Sequence, residues 1–337
     1  MPFGVFKTTS FMPVKEKQLK PKQHKNYDSY KPSIVSDSQV TEIHIMLVGR
    51  TVGILSDFLC SFKENMTSAL HGEGFTFFTI DAFLSLMDIE TKKRIEGFFG
   101  TYKKDATYVS NVEDLSGSYS YSICPSGKQE KLLNLVFHCC NYQSSTSFTD
   151  NSINAVWFLA DEISIDSSIS FDAYRDYMKS AVCNATQCSD TQASKPVCVL
   201  LSQIEKFTHF DNRGNRTYIP PEAEKKLYRK YITSFGNSLP ENVSVIPVQI
   251  YGGLEYKETD DQGRQHLGRG STGYYQSYIP ENCQIPAFYT LNSIIESSGV
   301  DYFVELGGLR NVIRGHLTKS KGSSSWTPRK NADVKEI

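Results

Sequence analysis

Between residues 41 and 298, short apolar runs alternate with longer stretches of helical period. Residues 42–48 (EIHIMLV) read as a first strand closed by Gly49. Residues 56–70 then place Phe58, Leu59, Phe62, Met66, Ala69 and Leu70 at helical spacing. Residues 118–124 and 131–138 flank PSGKQE, a turn with Pro and Gly, which predicts an antiparallel hairpin. Two nearly unbroken apolar runs, 153–160 (INAVWFLA) and 196–201 (PVCVLL), have the character of strands buried on both faces, with a helix over 171–181 between them. A helix opening on proline follows at 220–235, then a last central strand at 243–250 (VSVIPVQI) and a final helix over 286–297. The pattern predicts an α/β fold: a mainly parallel central sheet with helices on both faces. Residues 72–117 carry mixed signals and read as an insertion. Residues 252–273 read as a polar, glycine-rich loop excursion.

Composition adds limits. In 337 residues, 39% hydrophobic content with 20 Phe and 19 Tyr is too much apolar surface for a disordered chain, so one elaborated domain is expected over 41–300. Lys+Arg 36 against Asp+Glu 37 gives net charge −1, which offers no reason to invoke nucleic acid or a membrane surface. No apolar run approaches the roughly 18–20 residues of a membrane span, and the first residues lack the pattern of a secretory signal, so a cytoplasmic location is the expectation. Residues 1–40 hold Lys15, Lys17, Lys20, Lys22, Lys25 and Lys31 without periodicity and read as a flexible lysine-rich tail. Residues 301–337 read as a C-terminal extension and tail, in which Trp326 stands out. Both are candidate docking arms. Of eight cysteines, Cys124, Cys139, Cys140 and Cys198 lie in or beside apolar strands and act as small hydrophobes. Cys183 and Cys188 (CNATQC) have zinc-like spacing but no second pair, so no metal is expected and they read as a free or redox-variable loop pair.

Strand, glycine loop, helix, hairpin, then strand and helix in alternation resembles a Ras-like P-loop GTPase domain with insertions, over residues 41–298. A parallel sheet places its ligand at the carboxyl ends of its strands, and the loops there are altered. Against G-x-x-x-x-G-K-[ST], GRTVGILS keeps Gly49 and Ser56, but Ile54 replaces the second glycine and Leu55 the lysine. An aliphatic Leu55 cannot neutralise charge on a transferred phosphoryl group. Where the family's D-x-x-G would follow the second hairpin strand, the chain reads HCCN (His138 to Asn141). Ser202, Gln203, Ile204 and Glu205 stand in place of N/T-K-x-D, and Gln249 to Gly253 in place of S-A-K. The longer chain and late helix resemble the bacterial double-GTPase type more than a minimal Ras domain.

The resemblance implies a catalytically inactive, GTPase-like domain, a pseudo-GTPase, serving as a regulatory or assembly subunit through protein–protein contacts. No catalytic residue, no metal and no cofactor is expected; Gly49, Arg50, Gly53, Ser56, Gln203 and Glu205 form a vestigial nucleotide site. Two alternatives remain: an unconventional GTP- or ATP-binding switch enzyme using Mg²⁺, and a structural scaffold subunit of a large assembly. The plainer reading of residues 49–56 is a strand-to-helix turn, with Gly49 permitting an unusual φ and Ser56 capping the helix. His44 and His138, on or at the end of strands, read as hydrogen-bonded structural histidines. Asp161 and Glu162 end a strand at the carboxyl edge, and residues 258–278, with Arg264, His266 and Arg269, read as a surface loop with binding potential.

Overall fold

The computed structural model describes residues 40–337 apart from 51, 81, 101–106, 110–116, 129–130, 143–151, 161–168, 188–194, 203, 205–208, 211–215, 219–220, 237, 253, 260–264, 270–277, 298–306, 323–327 and 335–337. The chain runs β1 (Thr41–Gly49), α1 (Val52–Leu70), β2 (Phe75–Thr79), α2 (Ala82–Phe99), β3 (Thr107–Val109), β4 (Gly117–Pro125), β5 (Leu133–Asn141), β6 (Ala155–Ala160), α3 (Ile169–Gln187) and β7 (Val197–Leu201). It continues through β8 (His209–Phe210), β9 (Arg216–Tyr218), α4 (Pro221–Tyr231) with a π-helical turn (Ile232–Gly236), β10 (Ser244–Pro247), β11 (Leu254–Thr259) and β12 (Gln265–Arg269). It closes with α5 (Ile285–Ser297), α6 (Gly307–Gly322), β13 (Arg329–Lys330) and α7 (Asn331–Val334).

Eight strands form one sheet in the order β13-β10-β7-β6-β1-β5-β4-β2. The pairs β1–β5, β1–β6, β6–β7 and β7–β10 are parallel, whereas β4–β5, β2–β4 and β10–β13 are antiparallel. Without its two edge strands the order is β4-β5-β1-β6-β7-β10, with the antiparallel hairpin outermost: the expected α/β architecture of a Ras-like P-loop NTPase topology with insertions. The continuous apolar runs form β6 and β7, every residue of which is buried, because helices cover both faces there. On one face Ile45, Leu47, Phe58, Phe62, Phe137 and Trp157 join α1, α2, α5 and α6 in the larger core. Phe62 meets Phe77, Tyr121, Phe137 and Trp157 edge-on at centroid separations of 5.1–6.1 Å. On the other face Met46, Val48, Val156 and Phe158 pack with α3 and α4.

Four features differ from the reading of the sequence. Helix α1 starts at Val52, not residue 56, because Ile54 and Leu55 extend the apolar stripe of Phe58, Leu59 and Phe62 by one turn. The insertion supplies the outer strand β2 and helix α2. Its strand β3 pairs with β12, so it joins the late excursion, which is a hairpin, in a three-stranded sheet β11-β12-β3. The C-terminal region read as a tail holds α6, whose Leu309, Val312, Ile313 and Leu317 pack on the larger core. It also holds β13, which extends the main sheet at β10. Finally, Cys183 lies within α3 rather than in a loop. Cys188, Trp326 and residues 1–39 fall outside the described residues.

The α7 segment is pinned by the buried Asn331. Its Nδ2 donates to the carbonyls of Leu239 (3.0 Å) and Pro240 (3.3 Å), its Oδ1 accepts from Tyr231 (3.0 Å), and its backbone N–H donates to Val243 (2.9 Å). Asn331→Ala strands the Leu239 and Pro240 carbonyls and the Tyr231 hydroxyl and is expected to cost about 2–3 kcal/mol, read as a lower urea midpoint at unchanged slope.

Candidate functional site

The carboxyl end of β1 and the start of α1 form the position where the topology would seat a phosphate. Strand β1 ends at Gly49 and α1 begins at Val52. A phosphate-cradling loop must leave the residues after its first glycine unwound, so that successive amides converge on the anion. Here Val52 through Ser56 already lie in the first turns of the helix. Ile54 and Leu55 are fully buried, and a Cβ placed on Gly49 would stand 2.5 Å from Leu55 Cδ2 and 3.5 Å from Ile54 Cγ2. Leu55 therefore packs directly against Gly49, on the face of β1 that carries the larger core. Gly49 is not among the glycines with positive φ, so this position requires glycine for room and not for conformation. Ser56, at the fifth helical position and buried, is not the helix cap.

The neighbouring strand closes the position from the side. Strand β5 runs past the expected residue 138 and stays paired with β1 until Asn141 opposes Gly49; the Tyr142 N–H then donates to the Gly49 carbonyl at 3.1 Å. HCCN is thus part of the ladder, not a loop turned towards a metal.

One turn into α1 stands a residue that sequence reading passed over. Asp57 is completely buried: Tyr251 donates to its Oδ2 at 2.9 Å, while Tyr108 (3.1 Å) and Arg94 (3.3 Å) donate to its Oδ1. Arg94 Nε also donates to the Tyr108 hydroxyl at 3.2 Å. Burial pushes the Asp57 carboxyl up to about 6, against the opposing pull of the Arg94 charge and the three hydrogen bonds. The cluster ties α1 to α2, to β3 and to the segment after β10, so the counterpart of the S-A-K loop is held by its own Tyr251. Its only sequence signal is a lone carboxylate inside the apolar run ILSDFLCSF.

Of the vestigial-site residues, the structure brings together Gly49, the buried Arg50 and Ser56 at the β1–α1 turn, with Gly53 in the helical backbone between them. Gln203 and Glu205 lie outside the described residues, as do Asp161, Glu162 and Arg264. Among the described residues no group of three His, Cys, Asp or Glu side chains is placed to hold a metal ion. No described helix is long and apolar enough to cross a membrane.

No family model matches the sequence and no curated protein matches it. Solved structures similar to the chain include sup35 complexed with GDP, at 8% identity and TM-score 0.30 over 74% of this chain. The chain spans 45% of that sup35 chain. Another is the conserved domain of the dynein light intermediate chain, at 9% identity and TM-score 0.32, covering 82% of this chain and 90% of that one. Likenesses this distant carry no functional argument, and the fold assignment rests on strand order and pairing.

Because folding raises the Asp57 pKa, its proton is held more tightly in the native state than in the unfolded chain. The contribution is complete below the unfolded pKa near 3.8 and is lost as pH rises through about 6. Asp57→Asn is expected to become progressively more stable relative to the parent between pH 4 and 7, by about 3 kcal/mol across the window, in urea unfolding at each pH.

Proposed function

We propose that this chain is a GTPase-like module that works without nucleotide, as a regulatory or assembly subunit presenting a constant surface to a protein partner. The single observation that carries this reading is the Leu55 side chain lying over Gly49, with α1 already wound at Val52. A switch domain changes shape because a terminal phosphate orders or releases its loops. Here the corresponding loops are held by protein groups: Tyr142 on Gly49, Tyr251 on Asp57, and the main chain of Gln249 bridged in both directions to Glu281 at 2.9 Å. The exposed Ile80, Leu86 and Ile89 on and beside α2 give the outer edge of the sheet an apolar character suited to contact with another protein. The lysine-rich residues 1–40 and the segment around Trp326 are the candidate docking arms. In this reading the protein acts in the cytoplasm.

Titration of the purified full chain with Mg²⁺ and GTP, GDP or ATP is expected to give neither calorimetric heat nor a thermal unfolding shift at millimolar nucleotide. Binding near micromolar affinity, about −8 kcal/mol, would overturn the reading in favour of a switch enzyme that holds nucleotide through Gly49, Arg50, Gly53, Ser56 and Glu205. Leu55→Lys, which restores the lysine of the motif, is expected to lower stability by about 2–4 kcal/mol without creating nucleotide binding, since it places an ammonium in the core.

A further inference from the structure

The face of β4, β5 and β1 opposite the larger core carries a row of linked polar side chains. Ser118 Oγ lies 3.0 Å from His138 Nδ1, His138 Nε2 lies 3.0 Å from His44 Nδ1, and His44 Nε2 lies 3.5 Å from Glu42 Oε2. The two imidazoles are within 18° of parallel, with centroids 5.3 Å apart, which is the 3.0 Å nitrogen separation plus two ring radii. The nitrogens therefore lie on the line joining the rings, which meet edge to edge across one N–H···N bond, not face to face. That bond holds a single proton, and the Glu42 carboxylate 3.5 Å from His44 Nε2 favours a proton on that nitrogen. With that tautomer His44 Nδ1 is an acceptor and His138 Nε2–H donates to it. His138 Nδ1 is left as the acceptor for the Ser118 hydroxyl. Glu42 is itself oriented by Asn134 Nδ2 at 3.3 Å, whose Oδ1 accepts from Ser122 at 2.6 Å. The His44 backbone is held by Asn154 Oδ1 at 2.7 Å.

The hydroxyl at the end of this chain is accessible: Ser118 is exposed, and Glu42 is exposed at the other end. The backbone N–H of Ser118 is turned to the β2 side of β4, away from β5. The Ser120 carbonyl accepts from Ile80 N–H at 3.1 Å, so the even-numbered residues of β4 turn their peptide groups towards β2. The register continues to residue 82 opposite Ser118, but Ala82 already belongs to α2, and β2 ended at Thr79. A hydroxyl with an imidazole acceptor and its own N–H beside it is the arrangement used for acyl transfer: nucleophile, general base and one oxyanion donor.

We propose that Ser118 is an acyl-accepting nucleophile, with His138 as its general base and His44 and Glu42 as positioning residues, acting on small thioesters or aryl esters. The hydroxyl proton passes to His138 Nδ1 as the Ser118 Oγ–C bond forms. The bond to sulfur or aryl oxygen breaks, and the leaving group takes its electron pair and then that proton. Water subsequently attacks the acyl carbon, gives a proton to His138 Nδ1 and releases the acid as Ser118 Oγ recovers a proton from His138. The net reaction is acyl donor plus water to acid plus thiol or phenol. One oxyanion donor instead of two suits leaving groups that depart without prior protonation. This proposal stands apart from the nucleotide reading and uses none of Gly49, Arg50, Gly53, Leu55 or Ser56.

The test uses p-nitrophenyl acetate on the full chain between pH 5 and 9, following nitrophenolate release and locating the acetyl group by peptide mass spectrometry. Expected is acetyl-Ser118, formed about 100-fold faster than any acetylation in Ser118→Ala, with a rate that rises through one titration in the imidazole range. His138→Gln is expected to remove about 100-fold and the titration with it. His44→Gln retains a titration but moves its midpoint, a change that a merely structural role would not produce. Thermal unfolding of each variant separates a lost nucleophile from a lost fold, and an exposed Ser118→Ala leaves the fold intact. Acetyl groups on lysine or tyrosine with Ser118 unmodified would overturn the proposal, as would Ser118 labelling at equal rate in folded His138→Gln.

Discussion

The contact of Leu55 with Gly49 sets the turn between β1 and α1, and the packing of α1 on the larger core depends on it. A wide loop there would leave amides converging on empty space. The chain instead winds α1 almost directly from β1, so the first helical turn spends its side chains on the core. Buried aliphatic contact is non-directional and favours filled volume, and Leu55 and Ile54 fill the turn beside Gly49.

The early start of α1 also sets the phase of the helix, and the phase has consequences along its length. Asp57, Ser61 and Asn65 recur at intervals of four and share one face. Each meets the segment following β10: Asp57 takes the Tyr251 hydroxyl, Ser61 donates to the Ile250 carbonyl at 2.8 Å and contacts Tyr278 at 2.9 Å, and Asn65 donates to Pro280 and accepts from the Cys283 N–H. This stripe of α1 thus satisfies the backbone of a non-helical segment that would pay heavily for burial alone. The insertion completes the arrangement by bringing Tyr108 and Arg94 to the remaining Asp57 oxygen.

Sequence made the central layer legible because its signals are local. Unbroken apolar runs mark β6 and β7, and the turn PSGKQE marks the β4–β5 hairpin. What escaped were features that depend on partners far along the chain. Strand β3 has only three residues and acquires meaning from β12, more than 150 positions later. The stripe Leu309, Val312, Ile313 and Leu317 is set among lysines and glycines whose composition reads as a tail. Asp57 looks like an interruption of a helix until three hydroxyl and guanidinium donors converge on it. The pairing of His44 with His138 needs the register of β1 against β5, which no local pattern encodes.

The packing of Leu55 over Gly49 can be measured by a double-mutant cycle on these two residues using equilibrium unfolding. Gly49→Ala alone should cost about 1–3 kcal/mol through the clash of its methyl with Leu55. Leu55→Ala alone should cost about 2–5 kcal/mol through the cavity it leaves. In the double variant the Gly49→Ala penalty should disappear, a coupling of about 1–3 kcal/mol. Additive costs with no coupling would mean that Leu55 does not lie over Gly49, and would contradict a closed turn between β1 and α1.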